Sequence, residues 1–273
     1  MVFVVTAVHN RKHITERFLG CLLEQADSDQ IRLIIVDDGS VDGTSEMVRE
    51  KYAASTILQG GGNSYWGGSL QKAYQYLIAN GIQNDDIVLY ANDDSVLSDD
   101  YIRKLTKILS KHPNALVTGC GYGKKTGRYL DGPVSFNFKS GAVKLLPAGD
   151  AGNCASTRAL GMTGEVFRDI GGFHPILLPH YASDYEYTIR AFRKGHPIIS
   201  DTSLRYVFTE ETTGDNSHRH LSFKKIMSKR SKLNPIYKLN FILLIAPFYR
   251  LPFFIFRQIK QFKHHQRDEG KSV

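Results

Sequence analysis

The sequence has little cysteine and no long apolar run, and each shortage removes a class of protein. Its three cysteines, Cys21, Cys120 and Cys154, are odd in number and widely spaced among 273 residues. With no CxxC pair they suggest neither a disulfide framework nor a zinc knuckle, and a reducing compartment is expected. The apolar run from Met1 to Val8 is too short for a signal h-region and has no small-residue cleavage site, so export by that route is not expected. Near the other end, Pro247, Arg250, Pro252 and Arg257 interrupt every apolar stretch, and none reaches the roughly 20 residues that span a bilayer. The segment His9-Asn10-Arg11-Lys12-His13 contains no glycine, so the GxGxxG turn of dinucleotide enzymes is missing. No Ser-His or Cys-His motif points to a covalent nucleophile.

What is present suits one catalytic domain with a tail, because 42% apolar content over this length can bury one large core or a domain of about 200 residues plus an appendage. The net charge of +8 is unevenly placed: basic residues crowd from Arg219 to Lys271, whereas Asp pairs mark the first hundred residues. In the tail the charges interleave with Phe241, Leu243, Leu244, Ile245, Phe248, Leu251, Phe253, Phe254, Ile255 and Phe256. That mixture favours a membrane surface over nucleic acid. Packing of the same residues on the domain remains the alternative.

Periodicity predicts strands at Val2 to Val8, Ile31 to Val36, Thr56 to Leu58, Ile87 to Tyr90 and Leu116 to Cys120. Helices are expected between them: Ile14 to Leu23, Asp42-Gly43 through Tyr52, Leu70 to Ile78, and Tyr101 to Leu109 with Asp99 and Asp100 as caps or first-turn acids. Such alternation implies an α/β fold with a doubly wound, mainly parallel sheet covered on both faces. After Gly121, Val134 to Phe138 and Ala142 to Leu146 suggest a smaller antiparallel portion. Helices follow at Gly164 to Ile170 and Asp184 to Phe192, then a short strand that Ile198-Ile199 begins. The expected division is a catalytic domain over 1–210, with a nucleotide-binding half 1–120 and an acceptor-binding half 121–210, and a basic amphipathic segment over 211–273.

Two strands end in acids. Ile34-Ile35-Val36 runs into Asp37-Asp38-Gly39-Ser40, and Ile87-Val88-Leu89-Tyr90 into Ala91-Asn92-Asp93-Asp94-Ser95. Ligands of open α/β sheets sit beyond the carboxyl ends of strands, so both sets of acids are expected at one crevice. Asp37 and Asp38 can accept from a base or ribose, or can end the strand and cap the next helix. Oxygen ligands of this kind suit Mn²⁺ or Mg²⁺ on a diphosphate.

Asp37-Asp38-Gly39-Ser40 followed by Asn92-Asp93-Asp94 resembles the family-2 glycosyltransferases of the GT-A fold, bacterial rhamnosyltransferase-like and polysaccharide-biosynthesis members in particular, from Val2 to about Ser200. The resemblance implies a donor-binding loop at Thr6, Ala7, Val8 and Asn10, base recognition by Asp37 beside Asp38, and a glycine- and Trp-containing donor segment with Asn63, Trp66 and Gly67. It aligns Asn92-Asp93-Asp94 with the DXD motif, with Asp94 the metal ligand and Asn92 a departure at the first position. His180-Tyr181-Ala182-Ser183-Asp184-Tyr185-Glu186, after Gly171-Gly172-Phe173, resembles the family's base region. That match implies Asp184 as catalytic base and His180, Tyr181 and Glu186 on the acceptor side; Ser183 stands for the frequent Glu and His174 for the frequent Asp. His218, or His220, would return to the metal.

The implied activity is that of a metal-dependent, inverting hexosyltransferase. It would move sugar from a UDP, dTDP or GDP donor to a hydroxyl of a glycan or lipid-linked glycan, as in O-antigen or capsule assembly. A cytoplasmic protein, peripheral on the inner face of the plasma membrane through its tail, is expected. A nucleotidyltransferase acting on a sugar phosphate is disfavoured by the glycine-free segment after the first strand, and a noncatalytic GT-A-like binding protein by the intact Asp38, Asp94 and Asp184.

Overall fold

The computed structural model describes residues 1–25, 30–210, 223–229, 231–246, 249, 251–253 and 256. The first half alternates as expected: β1 (Val2–Val8), α1 (Lys12–Leu23), β2 (Ile31–Asp37), α2 (Thr44–Lys51), β3 (Thr56–Gln59), α3 (Tyr65–Ala79), β4 (Ile87–Ala91), β5 (Ser95–Leu97), α4 (Tyr101–Lys111) and β6 (Leu116–Gly123). The second half contains β7 (Tyr129–Asp131), β8 (Pro133–Phe136), β9 (Val143–Leu145), β10 (Ala151–Gly152), β11 (Cys154–Ala155), β12 (Ala159–Thr163), α5 (Gly164–Ile170), α6 (Ser183–Arg193), β13 (Ile198–Phe208), α7 (Phe223–Ile226) and α8 (Pro235–Ile245).

Strands β3, β2, β1 and β4 lie side by side and parallel, and the main sheet continues through β12, β6, β13 and β10. Strand β12 is antiparallel to both β4 and β6, whereas β13 runs parallel to β6. A separate three-stranded antiparallel sheet joins β11, β8 and β9. The fold is therefore α/β with a mainly parallel central sheet and a small antiparallel one.

Residues in the first strands alternate between two cores. Leu33 and Ile35 of β2, and Leu89 of β4, pack with Phe18, Leu19 and Leu22 of α1 and with Val48 of α2. Their neighbours Ile34, Val36, Val88 and Tyr90 pack on the opposite face with Leu70, Ala73 and Leu77 of α3 and with Phe167 of α5. Burial on both faces explains why these strands read as unbroken apolar runs. A third cluster, outside the main sheet, gathers Val134, Phe136, Ile189 and Ile245, with Phe241 and Leu244 of α8 against it.

Several boundaries differ from expectation. Helix α3 begins at Tyr65, five residues before the apolar periodicity, because its first turn is capped from another element. Strand β13 begins at Ile198 as expected but runs for eleven residues where a short strand was predicted. Its pairing with β6 breaks between Ser200 and Arg205 and then resumes, carrying the polar middle of the strand past an irregularity. The Asp100 side chain does not cap α4; it pairs with Arg103 at 2.6 Å. No helix of the described residues is long and apolar enough to cross a membrane.

Candidate active site

Register brings the acidic strand ends to one edge. Val8 lies opposite Asp37, Val5 opposite Tyr90, and Ala91 opposite Ala159, so the segments after β1, β2 and β4 and before β12 emerge together. The Asn92 backbone N–H donates to the Arg158 carbonyl at 2.9 Å, extending that antiparallel pairing one residue past the strands.

The two acids after β2 are fully engaged by the protein. Asp37 accepts from the Ser40 backbone N–H at 2.8 Å and from the Ser45 hydroxyl, and only 1% of the residue is exposed. Asp38 accepts from the backbone N–H groups of Gly62 (2.9 Å), Ser64 (2.9 Å) and Tyr65 (3.0 Å). Its carboxylate therefore caps the start of α3, where no side chain of that helix does so. A Cβ on Gly60 would lie 2.6 Å from Asp38 Oδ1, which accounts for a glycine there.

In the loop after β1, Asn10 Oδ1 accepts from the Val41 N–H at 2.8 Å and, at φ 52°, its own backbone N–H donates to the Ser40 hydroxyl at 2.9 Å. Thr6 and Val8 are buried in the strand, Ala7 half-buried, and the Thr6 hydroxyl has no hydrogen-bond partner among the described residues. Asn63 is exposed at the rim. Trp66 donates from Nε1 to the Thr157 hydroxyl at 2.8 Å. Gly67 donates to the Pro179 carbonyl at 2.9 Å; a Cβ there would come within 2.5 Å of the Leu178 carbonyl, so α3 approaches the 178–183 segment backbone to backbone.

The acids after β4 face guanidinium groups. Arg11 Nη1 donates to Asp93 Oδ1 at 2.5 Å, and the buried Thr15 hydroxyl donates to Oδ2 at 3.1 Å. Burial raises the Asp93 carboxyl to about 6, the Asp94 charge adding to the rise and Arg11 opposing it. Arg158 Nη1 donates to Asp94 Oδ1 at 2.6 Å, and Arg158 Nε lies 3.5 Å from Asp131 Oδ2. Asp131 is fixed by the Ser156 hydroxyl at 2.8 Å and the Tyr206 hydroxyl at 2.7 Å, while the Arg158 guanidinium stacks 4.4 Å from the Phe208 ring centre.

Asp184 stands at the start of α6, where its Oδ1 accepts from the Tyr185 N–H at 2.9 Å. Burial raises its carboxyl to about 6, and Asp131 pushes in the same direction while Arg158 opposes. Asp184 thus shares an electrostatic environment with the network that reaches Asp94. His180 lies beside Tyr181 and Tyr65, with ring centres 4.5 and 5.9 Å away. Glu186 is turned inward: it holds Arg190 bidentately at 2.8 and 3.0 Å, and that arginine also binds the Ile170 and Gly172 carbonyls. His218 and His220 lie outside the described residues. Arg11, Arg158 and Asp131 were not singled out from sequence, although a lone arginine inside Cys-Ala-Ser-Thr-Arg-Ala-Leu-Gly-Met was a usable sign of a buried, paired charge.

No group of three His, Cys, Asp or Glu side chains among the described residues could hold a metal alone. The charges nevertheless suit a divalent ion. Asp93, Asp94, Asp131 and Asp184 face two guanidinium groups, and Mn²⁺ or Mg²⁺ on a diphosphate needs only one or two protein carboxylates. Asp94 is the carboxylate that would hold it.

The profile described as glycosyl transferase family 2 matches residues 3–164, more than half of the sequence. The chain belongs to glycosyltransferase family 2. Its GT-A fold is shared with solved structures. S. aureus TarS 1–349 aligns over 100% of this chain and 92% of its own at 17% identity and a TM-score of 0.62. A mannosyltransferase from Pyrobaculum calidifontis in complex with GDP-Man and Mn²⁺ aligns over 78% of this chain at 20% identity and a TM-score of 0.58; GalNAc-T7 with UDP, GalNAc and Mn²⁺ aligns over 90% at 11% identity and 0.64. This chain spans only 58% and 47% of the length of those last two. No curated protein matches it in sequence.

Proposed function

We propose that this family-2 chain is an inverting glycosyltransferase that moves a hexosyl group from a nucleoside diphosphate sugar to a hydroxyl of a glycan or lipid-linked glycan. The observation that carries this reading is Asp184. It is a carboxylate at a helix start, raised to about 6 and electrostatically linked through Asp131 and Arg158 to the Asp94 strand end. A base of that pKa is ionised at neutral pH yet still a competent proton acceptor.

Asp184 takes the proton of the acceptor hydroxyl as that oxygen bonds the anomeric carbon. The bond from that carbon to the diphosphate breaks on the opposite face, and the diphosphate leaves with the electron pair, so configuration inverts. Asp93 and Asp94 hold the donor side, and the loop after β1 with the α3 start receives the nucleotide. Mn²⁺ or Mg²⁺ held by Asp94 would neutralise the charge that grows on the leaving diphosphate. Solved neighbours that contain GDP-Man with Mn²⁺, UDP with Mn²⁺, or UDP-GlcNAc support a nucleotide donor and a divalent ion. His180 and Tyr181, four and three residues before the base, suit the acceptor side.

Helix α8 supports a peripheral membrane role on the cytoplasmic face. One side of it buries Ile242 and packs Ile245 into the third core cluster, while Ile236, Leu239 and Leu243 remain exposed on the other. With Lys225, Lys229 and Lys232 nearby in sequence, that side suits anionic headgroups.

The deciding experiment is thermal shift of the full chain against a panel of UDP, dTDP and GDP sugars, with and without Mn²⁺, in wild type and Asp94→Ala. A ligand bound to the folded state raises Tm by mass action. A Mn²⁺-dependent rise for one donor, lost in Asp94→Ala, is expected; no rise with any donor overturns the reading.

A further inference from the structure

We infer that Arg158, steadied by Asp131, competes internally with the divalent cation for Asp94, so that the Asp131–Arg158 pair sets how tightly the donor-side acids take metal. The inference rests on the metal reading of Asp94 given above.

Arg158 is the cation already placed against that acid. Its Nη1 meets Asp94 at 2.6 Å with both side chains nearly buried, 10% and 4% exposed. A short charge-assisted bond in such surroundings is among the stronger protein contacts. The arginine is anchored from three other directions. Its carbonyl is fixed by the Asn92 N–H at 2.9 Å, its guanidinium stacks on Phe208 at 4.4 Å, and its Nε lies 3.5 Å from Asp131. Asp131 is itself tied down by Ser156 and Tyr206, so it offers Arg158 a fixed second acceptor.

A guanidinium has five donors in a rigid fork and stays charged, so it can rest on Asp131 when Asp94 is taken by another cation. The two acids then act on the arginine in opposite senses. Asp94 binds either Arg158 or the metal, and Asp131 draws Arg158 away from Asp94. Asp131 and Arg158 are positioning residues on this account, acting on metal through Asp94.

The test is Mn²⁺ alone, titrated into the full chain by calorimetry or by the loss of its free electron paramagnetic resonance signal, with no donor and no turnover. Arg158→Gln should tighten Mn²⁺ by about tenfold, the middle of the range for coupling between contacting charged groups. Asp131→Asn, close to isosteric and still able to accept from Ser156 and Tyr206, should weaken it several-fold, by about fivefold. In the Arg158→Gln background, Asp131→Asn should change nothing, because its effect passes through the arginine.

A purely structural role would loosen the metal in both single variants, and bulk charge would make the two effects additive; either result overturns the inference. If Arg158→Gln does not fold, the sign of Asp131→Asn decides, tighter or unchanged binding being the overturning result. Failure of the inference is separable from failure of the metal reading. Mn²⁺ bound by wild type, lost in Asp94→Asn and indifferent to Arg158 and Asp131 overturns the inference alone, whereas no Mn²⁺ binding by wild type or Arg158→Gln overturns both.

Discussion

The Asp38 carboxylate and the Tyr65 backbone N–H meet at 3.0 Å although 27 residues separate them, so an acid ending one strand caps the helix that follows the next. The same carboxylate also holds Gly62 and Ser64. Asp38→Ala would strip three N–H groups at once. Each half-buried N–H at the helix start that loses its acceptor costs on the order of 1 kcal/mol. We expect about 3 kcal/mol of lost stability in urea, with Asp38→Asn retaining much of it; a variant as stable as wild type would refute the capping role.

Asp184→Asn should reduce turnover by on the order of a thousandfold while leaving donor binding intact. In wild type the rate should fall as pH drops through about 6, where Asp184 takes up its proton and ceases to be a base. Stability carries the opposite sign. The folded-state pKa, about 6, lies above the ordinary 3.8, so the folded form binds this proton more tightly and stability declines as pH rises between those values. Above pH 6 the full penalty, on the order of 3 kcal/mol, is present, and Asp184→Asn should relieve it. Melting curves at pH 4 and pH 7.5 check this: the variant should gain on wild type only at the higher pH.

Gly67→Ala forces a Cβ into the 2.5 Å gap beside the Leu178 carbonyl. Backbone cannot give way as a flexible side chain does, so α3 and the segment leading to Asp184 must separate. A loss of about 2 kcal/mol is expected, together with a fall in kcat larger than any rise in donor KM. Thermal denaturation and steady-state kinetics on one preparation would show it.

Glu186 has two possible uses, and one substitution separates them. Its inward, bidentate pairing with Arg190 predicts that Glu186→Gln lowers stability by about 3 kcal/mol, since it breaks a buried ion pair from one side. Should Tm stay fixed while acceptor KM rises, the residue belongs to acceptor recognition instead.

At the other end of the chain, Leu239→Ser with Leu243→Ser removes two exposed side chains, 37% and 51% accessible, from α8. Sedimentation with phosphatidylglycerol vesicles should lose the protein to the supernatant, with Tm unchanged. Equal retention of the double variant on vesicles would remove α8 from the membrane contact.

The central sheet was legible because its strands are buried on both faces and read as plain apolar runs; Ile31 to Val36 and Ile87 to Tyr90 need nothing beyond their own residues. Strand β12 was not legible. Ala-Leu-Gly-Met-Thr is short, holds one β-branched residue, and is a strand because β4 and β6 flank it. The polar middle of β13 escaped for a related reason, its outward residues at the irregularity carrying no alternating pattern. The acids at the strand ends were visible as motifs, but their partners were not. Arg11 and Arg158 are 147 residues apart in number and meet the adjacent Asp93 and Asp94 only through the sheet. Nothing in an Asp-Gly turn distinguishes Asp131 from an ordinary hairpin acid.

The reversal of β12 has a consequence for how such a chain can diverge. Because that strand enters the sheet backwards beside β4, the residue preceding it arrives at the acid-bearing edge by pairing register, whatever path the intervening 124–157 excursion takes. Hairpins there can lengthen, shorten or be exchanged to suit a new acceptor while Arg158 keeps its address. Asp131 rides on the excursion itself, on β7, whose hairpin pairing with β6 sets it opposite Gly121, so a rebuilt β6–β7 hairpin would move it. On the proposed reading, remodelling the excursion would thus retune the metal through a residue that never touches it.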